Sequence, residues 1–161
     1  LPDEDATCDL YFFAADELEK AGFNQYEISN FSQPGFESRH NLKYWRCEEY
    51  LGIGASAHSF VDGKRFYYER SIDGFINGNP PVDDGFGGDE EEYIMLALRL
   101  SEGLIFENFE KRFNKPVSEE IISKAKELEK HKLVKITDKN IALIVDGFLV
   151  SNAVICELIG Y

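Results

Sequence analysis

The sequence predicts two parts of different character. A mixed α/β part covers residues 1–73, a mainly helical, winged-helix-like part covers residues 89–161, and a linker at 74–88 joins them. Three observations carry that division. Within residues 7–29 an amphipathic helical pattern, a glycine turn and a short alternating strand follow one another, the α/β rhythm of a parallel sheet. Residues 74–88 are poor in apolar side chains and hold Pro80-Pro81, Asp83-Asp84 and the glycines 74, 78, 85, 87 and 88, which is the punctuation of a boundary. From Asp89 onward the pattern runs helix, helix, helix, hairpin, helix.

The elements follow in order. Residues 7–21 place Leu10, Phe13, Ala14, Leu18 and Ala21 on one helical face, with Asp9 near the start, Lys20 near the end and Gly22 beyond it. Residues 25–29 alternate as a strand, with Tyr26 and Ile28 on one side and Glu27 and Ser29 on the other. Residues 30–39 are irregular around a Pro34-Gly35 turn, and residues 40–50 fit a short helix that puts His40 and Tyr44 on one face. Short strands are expected at 51–54 and 65–70. Asp89 followed by Glu92 has the form of a capping box, opening a helix with Tyr93, Leu96, Ala97 and Leu100 as its buried stripe and Gly103 as its end. Residues 106–113 fit a second helix, Ser118 caps a third, residues 133–137 and 141–145 pair as a hairpin, and residues 147–158 form a last helix.

At 161 residues with 43% hydrophobic and 14% aromatic content, the chain has material for a buried core. No apolar run approaches the ~20 residues that cross a bilayer. Three cysteines without a pattern point to a reducing, cytoplasmic setting rather than a disulfide framework. The net charge of −13 opposes nucleic acid and anionic membrane, because phosphate binding needs a basic face. A small ligand held by local groups is compatible with it. No C-x2-C or H-x3-H spacing supports zinc, and a P-loop and a G-x-S-x-G elbow are both missing.

The stretch YEISNFSQPGFESRHNLKYWRCEEYLGIGASAHS, residues 26–59, is the centre of the chain's chemistry. It carries two of the three histidines and the only tryptophan. With its flanks it resembles the second half of the oxygen-independent coproporphyrinogen III oxidase-like proteins, the radical S-adenosylmethionine (SAM) proteins of the HemN/HemW type. The likeness runs on through MLALRLSEGL, residues 95–104, to DGFLVSNAVICEL, residues 146–158. The HNxxYW pattern of His40, Asn41, Tyr44 and Trp45 is closer to the HemW heme chaperone branch than to the oxidase branch. The resemblance implies that the α/β part is the end of an incomplete TIM-like radical SAM barrel. It also implies SAM and a [4Fe–4S] cluster in a longer protein, with a C-x3-C-x2-C motif ahead of this stretch. Cys8, Cys47 and Cys156 do not have that spacing, so the stretch by itself is expected to be catalytically silent.

Three groups of candidate residues emerge. The first is His40, Asn41, Tyr44 and Trp45. An imidazole ligates heme iron and flat rings stack on a porphyrin, although a lone loop histidine also serves as an ordinary surface residue and Tyr-Trp pairs serve core packing. The resemblance implies that His40 is the metal-ligating residue, with Asn41 orienting its ring. The second is Gly54, Ala55, Ala57 and His58. Gly52, Gly54 and Ala57 match G-x-G-x-x-A, but no helix is expected to follow, so dinucleotide binding is set aside. A strand end stripped of side chains lets backbone approach a ligand, and the resemblance implies a wall of the SAM pocket. The third is Glu27, Ser29, Asn30 and Arg39. If Tyr26 and Ile28 face the helix, Glu27 and Ser29 face the substrate side of the barrel, with Arg39 as a partner for the carboxylate; a solvated sheet face is the alternative.

Ile144 replaces the threonine of the family's Leu-Thr-x-x-Gly segment, while Gly147 is retained. The function that the resemblance implies is heme binding and transfer to heme-accepting proteins. The alternatives are true coproporphyrinogen III oxidase activity and an acidic winged-helix interaction module without a ligand. An incomplete barrel leaves unpaired strand edges, so the chain is expected to self-associate. Light scattering over a concentration series checks this, and one sharp monomer mass throughout contradicts it.

Overall fold

The computed structural model describes residues 3–160. They form two compact units. One joins the chain up to Ser38 to the chain from Ile94 onward, and the other is Arg39–Tyr93.

In the first unit, α1 (Glu4–Lys20) starts earlier than expected because Asp3 supplies the cap, accepting the Ala6 N–H at 2.8 Å. Its inner face is rotated from the predicted stripe. Tyr11, Phe12, Ala15 and Leu18 are half-buried, whereas Leu10 and Phe13 are 56% and 63% exposed. β1 (Asn24–Glu27) and β2 (Asn30–Ser32) are antiparallel, joined through Ile28 and Ser29. The expected parallel rhythm therefore fails here: a two-residue connection returns the chain beside itself and permits only antiparallel pairing. β2 lies in a segment read as irregular.

The other edge of β1 is stitched to a distant part of the chain. The Ile28 N–H reaches Arg99 O at 3.0 Å, the Ser101 N–H reaches Tyr26 O at 3.0 Å, and the Ser101 hydroxyl donates to Gln25 O at 2.7 Å. The segment that does this follows α4 (Glu90–Ala97), which stops well before Gly103. Beyond it come β6 (Leu104–Ile105), α5 (Phe106–Phe113), α6 (Glu119–Lys130), β7 (Val134–Ile136) and β8 (Asn140–Leu143). Ser118 caps α6 as expected, its hydroxyl accepting the Ile121 N–H at 3.3 Å. The predicted hairpin is present as β7–β8, and β6 adds a third strand in the order β6-β8-β7. Leu98, Leu104, Phe109, Ala125, Ile141 and Leu158 are sealed from solvent in this core. Each large apolar side chain buried there contributes roughly 1.5–3 kcal/mol. On the exposed faces of α5 and α6, hydrogen bonds from Lys111, Lys124 and Lys130 hold Glu107, Glu120 and Glu127 below the usual carboxylate value. Solvent screening keeps such pairs minor.

The last helix is two helices. α7 (Val145–Leu149) packs on β8 and α8 (Ser151–Ile159) packs on α6, with Val150 leaving helical geometry between them at φ −112°, ψ 26°. Gly147 lies inside α7 rather than in a turn. A Cβ there would stand 1.9 Å from Leu133 O, so the residue is glycine because another backbone occupies the space.

In the second unit, β3 (His58–Val61), β4 (Lys64–Tyr67) and β5 (Val82–Phe86) form one antiparallel sheet. α2 (Arg39–Trp45) precedes it, and α3 (Ile72–Ile76) lies between β4 and β5, capped by Ser71. Residues 74–88, expected as a linker, thus contain β5. This edge strand is held by main-chain hydrogen bonds and leaves residues 83–86 exposed, so it has no apolar alternation to read. The strand expected at 51–54 is not formed. Tyr50 alone bridges Phe60, and Leu51 and Ile53 project outward. No helix among the described residues is long and apolar enough to cross a membrane.

Gly147→Ala is expected to lower stability by about 2 kcal/mol or more, because a methyl group must displace the Leu133 carbonyl. A shift in the urea denaturation midpoint at unchanged slope measures it.

Candidate functional site

The site grows from α2. Its C-terminus closes on Cys47, which takes φ +52°; the Cys47 N–H returns to Tyr44 O and the Glu48 N–H to Lys43 O. That closure defines one short helix, on which His40 and Tyr44 stand one turn apart. The sequence expectation of a shared face is met by contact. The Tyr44 hydroxyl and His40 Nε2 are 3.1 Å apart, with the rings edge to face at 4.8 Å. His40 itself is exposed, and Asn41 and Trp45 beside it are half-buried.

Tyr44 does not stand alone. Its ring meets Tyr50 edge to face at 4.5 Å. Tyr50 exchanges both main-chain hydrogen bonds with Phe60 of β3, at 2.8 and 2.9 Å. Its hydroxyl accepts from Arg65 Nη1 at 3.4 Å. The Arg65 guanidinium lies 4.5 Å from the Phe60 ring centroid and pairs with Glu92 at 2.5 Å. The second Glu92 oxygen accepts the Gly88 N–H at 2.6 Å. The expected capping box is therefore half made. Asp89 accepts the Glu92 N–H at 2.9 Å, but the Glu92 carboxylate serves Arg65 and Gly88. Tyr50, Arg65 and Glu92 were not among the predicted site residues. Only the strand register, which sets Phe60 opposite Arg65 across the Asp62-Gly63 turn, could have pointed to them.

The Gly54, Ala55, Ala57 and His58 group is a tight loop leading into β3. Gly54 at φ +119° and Ser56 at φ +64° make it turn, and the Tyr68 N–H reaches Ala57 O at 3.0 Å. The closest backbone approach is internal: a Cβ on Gly52 would lie 2.2 Å from His58 O. Ser56 and His58 do not share a strand. His58 stacks on its cross-strand partner Tyr67 at 5.1 Å.

Glu27, Ser29 and Asn30 lie in the other unit. Glu27 is only 1% exposed, and its carboxylate turns into its own β1–β2 connection. There it accepts the Ser29 N–H at 3.2 Å and the Asn30 side-chain amide. Such hydrogen bonds are what a buried carboxylate requires. The partners that this buried carboxylate finds are thus its own neighbours rather than the expected Arg39, and Ser29 and Asn30 are exposed. Arg39 opens α2 and is exposed.

Among the described residues no group of three or more His, Cys, Asp or Glu side chains could hold a metal ion. Of the three thiols, Cys47 is buried, Cys8 half-buried and Cys156 exposed. An exposed imidazole with the Tyr44 ring edge-on against it does fit one heme contact.

Arg65→Met is expected to cost about 1–3 kcal/mol, because it strands a half-buried Glu92 and frees Tyr50. Glu92→Gln, which keeps a hydrogen-bond acceptor, should cost less. Urea denaturation of both variants measures the difference.

Residues 90–150 match the HemN C-terminal domain family. The heme chaperone HemW of Lactococcus lactis subsp. lactis is 34% identical over 160 residues, covering 96% of this chain and 42% of that protein. HemW of Escherichia coli is 42% identical over 83 residues, 48% of this chain and 22% of that protein. The mouse mitochondrial radical S-adenosyl methionine domain-containing protein 1 is 49% identical over 57 residues, 35% of this chain and 13% of that protein. The solved structure of coproporphyrinogen III oxidase (HemN) from E. coli, a radical SAM enzyme, superposes with a TM-score of 0.70 at 17% identity, over 100% of this chain and 42% of that chain. This establishes a shared mixed α/β fold. The chain spans 42% of the length of the L. lactis relative and 44% of the Bacillus subtilis HemW it also matches. By the match of residues 90–150 to the HemN C-terminal domain and its likeness to the L. lactis and B. subtilis chaperones over nearly its whole length, the chain belongs with the HemN/HemW-type proteins.

Proposed function

We propose that this chain binds heme through His40 and serves heme transfer within a longer radical SAM protein of the chaperone kind. The observation that carries the proposal is the HNxxYW assembly. The imidazole is exposed on a short helix, and the aromatic side chain of Tyr44 is braced behind it by Tyr50 and Arg65. The names of the relatives support the chaperone reading over the oxidase reading.

When bound, heme supplies an iron centre that takes an axial nitrogen. The chain's own contribution is that nitrogen, the apolar ring edges of Tyr44 and Trp45, and Asn41 as the neighbour that orients the imidazole. SAM and the [4Fe–4S] cluster belong, in this proposal, to the longer polypeptide. Gly54, Ala55, Ala57 and His58 form part of the SAM-side wall, and exposed Ser29 and Asn30 are the residues offered to substrate. In this proposal α1 and β1 are the end of the radical SAM barrel, and β2 is an antiparallel addition to it. The order α4, β6, α5, α6, β7, β8 with sheet order β6-β8-β7 supports a winged-helix C-terminal part. Its acidity argues against nucleic acid as the partner and leaves a heme-accepting protein, met in the cytoplasm, as the recipient.

Hemin titration of this chain, followed at the Soret band, tests the reading. His40→Ala should lose affinity by roughly tenfold or more, since even the loss of a residue supporting a ligand costs that much. An unchanged Soret spectrum and affinity would end the proposal.

A further inference from the structure

We infer that Tyr44 is a displaceable cap on the ligating nitrogen of His40, setting how firmly heme is held. The inference rests on the heme-binding reading above and adds a role for a second residue. An imidazole offers iron one of two nitrogens. Nδ1 is crowded by the residue's own Cβ. Nε2 is the nitrogen at the open end of the ring, and Nε2 is the atom that meets the Tyr44 hydroxyl at 3.1 Å. In the neutral imidazole with its proton on Nδ1, the phenol donates to the Nε2 lone pair. Iron needs that same lone pair. Heme binding and the His40–Tyr44 hydrogen bond are therefore mutually exclusive.

The cap is built rather than incidental. The Tyr44 ring is fixed edge-on against both His40 and Tyr50, and Tyr50 is anchored through its main chain to β3 and through its hydroxyl to Arg65. A phenol held this way returns to Nε2 as soon as iron leaves, without a search through rotamers. Arg65 and Glu92 act at one further remove, as positioning residues for the cap. A ligand site with an internal competitor binds more weakly and releases more readily than one without, as cargo transfer requires.

The test compares wild type, Tyr44→Phe and His40→Ala in hemin titrations and in release of bound hemin to excess apomyoglobin. Removing the competing hydrogen bond should tighten binding by roughly two- to tenfold and slow release in proportion, because one such bond contributes only modestly. The Soret maximum should stay in place, since the axial nitrogen is the same. Nitrogen-15 spectra of His40 without heme provide a readout independent of binding. The Nε2 resonance of the wild type should show a hydrogen-bonded acceptor, and the Tyr44→Phe variant should lose that signature. If Tyr44→Phe binds hemin equally or more weakly while His40→Ala loses it, the cap is refuted and the heme site stands. If His40→Ala binds like wild type, the heme reading falls and the cap with it. A wild-type His40 spectrum without the acceptor signature also overturns the cap, even if the phenylalanine variant does not fold.

Discussion

The Arg65–Glu92 ion pair is the joint on which the second unit depends. One guanidinium ties β4 to the first turn of α4, stacks on Phe60 of β3 and holds the Tyr50 hydroxyl. The pair is about three-quarters buried at both ends. It is dry enough for the attraction to matter and wet enough to escape the full desolvation penalty. The Tyr44 ring that meets His40 is aligned through it. Tyr50 takes its position from Arg65 and Phe60, Tyr44 takes its position from Tyr50, and His40 meets Tyr44.

The first unit solves a different problem. Its hairpin is joined to residues 99–101 by main-chain hydrogen bonds across more than 70 positions of sequence, from the Ile28 N–H to Arg99 O and from the Ser101 N–H to Tyr26 O. Glu27 sits at that junction, buried and bridging Leu100, and its carboxylate is spent on closing the β1–β2 connection. A carboxylate on a predicted substrate face is thus a structural brace. The exposed members of its group, Ser29 and Asn30, remain the ones able to meet a ligand.

Local chemistry was legible wherever the cause is local. The Ser118 cap, the helix at 106–113, the hairpin around residues 137–139 and the shared face of His40 and Tyr44 all depend on side chains within about one helical turn or one tight turn. Elements without a side-chain signature were not legible. β5 is mostly exposed and polar, β6 is two residues long, and β2 follows a turn that the period of its neighbours hides. The run at 51–54 is apolar but projects outward, because Gly54 and Ser56 turn the chain before a ladder can form.

The sequence by itself determined the family, the HNxxYW set and the helices with strong caps, because each is written in adjacent residues. Tertiary structure alone decided that Phe60 and Arg65 stand opposite one another and that Arg65 reaches Glu92. It also decided that Glu27 turns inward and that Gly147 must be glycine under the Leu133 carbonyl. Those outcomes depend on which distant backbone arrives at a position, and no periodicity or propensity in a linear chain encodes that arrival.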